Sequence, residues 1–190
     1  SYVVAFKGTT PTSAEDWGAN LAQALGMQSE YYNQAMLIGQ TASEMAPGAV
    51  HYVGHSLGGG MASAAAAVGK SSATTFNAAG VNPKTVARRG KELADAAVDA
   101  YYVDGDILSG IQDTLPVAEA VGQRIPLPPA PETTATKAKE AAIGAGAGAA
   151  MGVLTGPVGG VLGGLGVKKA VEGVRKHGMD EVIAAIDQEA

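Results

Sequence analysis

Five residues, Gly54-His-Ser-Leu-Gly58, constrain the fold of this chain more than any other feature. They follow an apolar run, AVHYVG over 49–54, that reads as a short buried strand. They precede an Ala- and Gly-rich stretch over 57–68 with a helical pattern. A Ser with Gly two places before and two places after it, at a strand-to-helix junction, fits one kind of sharp turn. The two backbones there approach too closely for side chains, and the Ser takes strained angles that raise its hydroxyl above the sheet. The helix just beyond offers amide donors and a positive potential to a developing negative charge. The plainer alternative is a structural turn that contains a Ser, and the placement between strand and helix argues against it.

The flanking sequence continues the alternation. YVVAF over 2–6 is β-branched and aromatic and stops at Gly8, as a buried strand would. A helix is expected over 14–25, capped by Thr12 or Ser13 with Glu15 and Asp16 in its first turn. Another is expected over 29–45, where Tyr32, Ala35, Met36, Ile38 and Ala42 recur at helical spacing before Pro47-Gly48. A third strand over 73–78, a polar helix over 83–97 and a fourth strand over 100–103 follow. Strands alternating with helices at these intervals predict an α/β fold with a largely parallel sheet. Beyond Asp106 the pattern weakens, and IPLPPAP over 125–131 reads as an extended connector, neither helix nor central strand.

Composition narrows the function. The 190 residues suit one domain with its own core, and 46% hydrophobic against 16% charged residues indicates a globular chain. A net charge of −5 without a basic cluster argues against nucleic acid as a partner. The absence of Cys excludes disulfides, thiolate metal sites and a Cys nucleophile. The chain starts with Ser and enters directly on a strand, without the pattern of a signal peptide, so it is expected to be part of a longer polypeptide.

A nucleophilic Ser56 needs a base, and the chain has three His. His55 lies inside the turn and is expected to point away from Ser56. His51 falls in the middle of a strand, and both read as structural residues. His177 remains, downstream of Ser56 as the order Ser, acid, His requires. The acid belongs at a strand end between them. YYVDGD over 101–106 offers Asp104 and Asp106, with Gly105 free to adopt left-handed angles; Asp106 is favoured, Asp104 is the alternative and Asp113 a distant third.

These residues and others, VVAFKGT over 3–9, EDW over 15–17, Asn20-Leu21, GHSLGG and YVDGDILS, resemble a class 3 lipase, a triacylglycerol lipase-like α/β-hydrolase. The resemblance covers 2 to about 113 and resumes at His177. It implies a compact α/β-hydrolase sheet flanked by helices. It also implies Thr9 and the amide of Leu57 as oxyanion donors, and it supports Asp106 as the acid. Two departures stand out: Lys7 replaces the family's usual Arg, and the family has strands ahead of the first one here. Either those strands have been cut away, or the chain is a compact variant such as the lipase domain of a bacterial secreted antibacterial effector. An effector implies secretion or delivery to a target-cell membrane and an inhibitory, immunity-type protein partner.

Residues 141–167 carry no charge, and glycines at 144, 148, 152, 156, 160 and 164 keep a four-residue period. One straight helix here would cross a bilayer and put Ser56 and His177 on opposite sides of about 30 Å of hydrocarbon. Pro157 between Gly156 and Gly159-Gly160 suggests instead a hairpin of two helices, over 137–154 and 158–176, inserted before a C-terminal helix over 179–186. The expected organisation is a hydrolase core over 1–136, a glycine-rich hairpin over 137–176 serving as lid, membrane-docking flap or internal packing, and a His loop and helix over 177–190. The expected function is hydrolysis of lipid or phospholipid esters by Ser56, His177 and Asp106 at a membrane surface, which needs neither metal nor organic cofactor. The rival expectation is a non-catalytic, membrane-inserting or oligomerising toxin module built on the glycine ladder.

Overall fold

The computed structural model describes residues 1–8, 29–150 and 167–189. The helix expected over 14–25, Thr9 and residues 151–166 of the glycine-rich segment lie outside these residues. The described chain runs β1 (Tyr2–Phe6), α1 (Ser29–Met45), β2 (Val50–His55), α2 (Leu57–Gly69), β3 (Ser72–Phe76), α3 (Pro83–Ala87), β4 (Ala97–Val103), α4 (Ile107–Thr114), β5 (Gln123–Leu127), α5 (Thr134–Ala150), α6 (Val167–His177) and α7 (Met179–Glu189). The five strands form one sheet in the order β1-β2-β3-β4-β5, every pair parallel. This is the α/β fold expected, and its loops after the strands all emerge at one carboxyl edge, where a site can be assembled.

The two faces are covered by different helices. Alternate residues of β2 and β4, among them Val50, Tyr52 and Val98, bury against Ala62, Ala65 and Ala66 of α2. Small residues let α2 lie close to the sheet and let α1 lie close to α2: a Cβ on Gly39 would run into the backbone of Ala65. The Tyr52 hydroxyl ties the layers by donating to the Gly39 carbonyl at 3.1 Å. On the opposite face, Val182 and Ala185 of α7 pack on Val103 and Leu127, with Phe76 and Tyr101 beside them. A smaller apolar cluster, Ile107, Leu108, Ile111 and Ala170, joins α4 to α6.

Three expectations need correction. The helix expected over 83–97 ends at Ala87: Gly90 takes φ 65, a short 3-10 turn covers Leu93–Asp95, and β4 has already begun at Ala97. The left-handed glycine reverses the chain, and charged residues fill a turn as readily as the outer face of a polar helix. The connector over 125–131 contributes instead to β5, whose Pro126 aligns with Tyr102. Pro fits there because β5 is the last strand of the described sheet and needs no donor on its outer side. Helix α4 was not expected; Asp106 caps it, its carboxylate accepting from the Ser109 amide at 2.8 Å.

Candidate active site

Ser56 sits between β2 and α2 with φ 57 and ψ −126, a conformation that costs a non-glycine residue roughly 1–3 kcal/mol. The surrounding backbone enforces it. The Ser56 amide donates to the Phe76 carbonyl at 3.0 Å, and the Ser56 carbonyl accepts from Gly59 at 3.0 Å and from Ala79 at 2.9 Å. A Cβ on Gly54 would strike the Gly58 carbonyl, and one on Gly58 would strike the carbonyl of Phe6. Both glycines of the motif are therefore required by close backbone approach, as the sequence pattern implied. A Cβ on Gly8, just beyond β1, would lie 3.4 Å from the Ser56 Cβ, so the segment leading to Thr9 passes beside the turn.

His177, the last residue of α6, reaches the same point from the far end of the chain. Its Nε2 is 2.8 Å from Ser56 Oγ, and its Nδ1 is 2.6 Å from Asp106 Oδ1. A carboxylate only accepts, so Nδ1 carries the hydrogen and Nε2 presents its lone pair to the Ser56 hydroxyl. Asp106 is 1% exposed and His177 4%, so this pair is shielded from water, whereas Ser56 is half-buried. The Gly105 φ of 82 turns the carboxylate inward, as its position between the two acids suggested. Asp104 is exposed, and Asp113 pairs with Arg124 at 2.6 Å, so neither meets His177. The Leu57 amide opens α2, where a helix leaves its first N–H groups without intrahelical acceptors. Such an arrangement can withdraw a proton from Ser56 and offer donors to an oxyanion beside it.

The other two His differ. His51 bonds the hydroxyls of Ser72 at 2.8 Å and Thr74 at 3.0 Å, a structural role as expected. His55 does more than flank the turn. Its ring centroid lies 5.0 Å from that of His177, and its Nε2 donates to the His177 carbonyl at 2.6 Å. Burial, and then the neighbouring His177, push its pKa down to about 4, so it is neutral at physiological pH. Asn77, which sequence reasoning missed, is fully buried with φ 42 and also bonds the His177 carbonyl. Only a polar residue immediately after a buried strand hinted at it.

Behind His177 lies a charged cluster. Arg175, 3% exposed, bonds Glu181 of α7 at 2.5 Å and Glu140 of α5 at 2.8 Å, while Lys139 pairs with Asp180. Among the described residues, no group of acidic or His side chains is arranged to hold a metal ion. No described helix is long and apolar enough to cross a membrane.

The sequence is similar to known proteins. The phospholipase-like family profile described as the Tle-like phospholipase domain matches residues 1–174. An extracellular phospholipase A1 of Serratia liquefaciens is 39% identical over 134 residues, covering 66% of this chain and 41% of that protein. The chain thus spans less than half the length of that curated relative.

Proposed function

The chain belongs to the Tle-like phospholipase domain family, and from that premise we propose that it hydrolyses carboxylic esters of phospholipid, with Ser56 as nucleophile, His177 as base and Asp106 as acid partner. The observation that carries this reading is His177 bridging Ser56 and Asp106 at 2.8 and 2.6 Å. Ser56 Oγ attacks the acyl carbonyl as its proton passes to His177 Nε2, and Asp106 stabilises the imidazolium. The Leu57 amide, with Thr9 as the second donor, holds the oxyanion. Collapse expels the lyso-lipid alkoxide, which takes the proton from His177. Water, deprotonated by His177, then releases the fatty acid from Ser56.

A fluorophosphonate probe tests the assignment. The expected result is one modified residue, Ser56, with labelling lost in His177→Ala; labelling elsewhere, or an active Ser56→Ala protein, overturns it. The name of the Serratia relative favours phospholipid over simple esters and an extracytoplasmic place of action. The charge-free segment over 141–167 runs from α5 to α6, the helix that ends at His177, and serves in this reading as the part that meets the lipid surface. Flotation with liposomes is expected to drop when 151–166 is replaced by a short polar linker, and unchanged flotation ends that assignment. An immunity-type inhibitor remains part of the proposal on resemblance to effectors. The non-catalytic toxin reading would need the hydrogen-bonded chain of Ser56, His177 and Asp106 to be incidental, and the family membership favours the enzyme.

A further inference from the structure

Two side chains outside the Ser56–His177–Asp106 chain converge on one atom, the carbonyl oxygen of His177. His55 Nε2 lies 2.6 Å from it and Asn77 Nδ2 3.2 Å, with Asn77 Nδ2 also 3.0 Å from the Lys176 carbonyl. A carbonyl only accepts, so both nitrogens donate, and His55 must be the Nε2–H tautomer. The Asn77 side chain faces the acid as well: its Oδ1 accepts from the Val103 amide at 2.9 Å, and the Val103 carbonyl accepts from the Asp106 amide at 2.9 Å. One buried amide thus joins the turn carrying Asp106 to the turn carrying His177. The residue next to Ser56 adds the third attachment. His177 ends α6, where the last carbonyls lack intrahelical donors, and His55 and Asn77 donate to the one at His177.

We infer that His55 and Asn77 are positioning residues that set the His177 ring against Ser56 and Asp106. The inference rests on the function proposed above. It also gives the His of the Gly-His-Ser-Leu-Gly motif a task that the turn geometry does not require, since only the glycines there are sterically forced. A neutral His55 suits the position, because its ring neighbours the imidazole that becomes positive during the reaction.

The test compares His55→Phe, which keeps a ring and loses the donor, with His55→Gln, whose amide can restore the bond. On a phospholipid substrate, His55→Phe is expected to lower kcat about 10- to 100-fold with KM little changed, and to slow fluorophosphonate labelling of Ser56 in parallel. His55→Gln is expected to recover most of both. A Phe variant that folds and labels as fast as the unmodified protein overturns the inference, as does a Gln variant no better than Phe. Should the Phe variant not fold, 15N NMR of the imidazoles in the unmodified protein at pH 7 decides instead: a His55 ring protonated at Nδ1 rather than Nε2 overturns it. Failure of the unmodified protein to label at Ser56 removes the underlying reading, whereas normal labelling with an indifferent Phe variant removes only the positioning role.

Discussion

Ser56 combines backbone strain with the proposed chemistry, and the two separate by substitution. Replacing it by Ala keeps the Cβ in its unfavourable conformation, whereas Gly tolerates a positive φ. Ser56→Gly is therefore expected to be more stable than Ser56→Ala by about 1 kcal/mol in urea unfolding, with both inactive. The acids also separate. Asp106→Asn should lower kcat by about 10⁴-fold, because the amide no longer selects the His177 tautomer, while Asp104→Asn stays near the unmodified rate. Ser56→Ala and His177→Ala should each cost about 10⁶-fold if the three groups act as a unit. Phospholipid turnover under saturating substrate measures all four.

At the scale of elements, α5, α6 and α7 are tied together by Arg175 with Glu140 and Glu181, two residues from His177. Arg175→Met leaves Glu181 buried without its cation and should destabilise the protein by about 3 kcal/mol, read as a lowered denaturation midpoint. Double replacement, Arg175→Met with Glu181→Leu, should recover much of that loss. Elements whose signals are local were legible in the sequence. The run YVVAF became β1, 29–45 became α1 with the expected bounds, and the Gly-flanked Ser marked the β2–α2 turn. The meeting of Ser56, Asp106 and His177 was legible because the chain has only three His, and one of them follows the Gly-flanked Ser and the acids after β4. What stayed hidden depended on partners distant in the chain. Asn77 bonds backbone atoms at 103, 176 and 177, and α4 opens where the Asp106 carboxylate caps it. Pro126 looked unfit for a sheet until its strand proved to lie at the end of the described order.

For the whole molecule, acid sensitivity follows from the buried His55. Its pKa is about 4 when folded and 6.5 when free, so above pH 6.5 neither state binds this proton and the group leaves stability unchanged. As pH falls from 6.5 towards 4 the unfolded chain takes up the proton and the folded one does not, so stability declines, by an amount on the order of 3 kcal/mol. Denaturation midpoints measured from pH 8 to pH 4 should fall through this window, and His55→Gln should flatten the slope.

Ser56 and His177 stand 121 positions apart, and the imidazole reaches the hydroxyl only when α6 and α7 are docked on the sheet. A ribosome therefore exposes the Ser56 hydroxyl long before it releases the His177 imidazole. Nascent chains halted at 150 should carry a formed β2–α2 turn yet leave lipid intact, and in refolding, ellipticity should return ahead of turnover. Under the proposed function, ester cleavage by this domain would begin only after α6 and α7 had been made and docked.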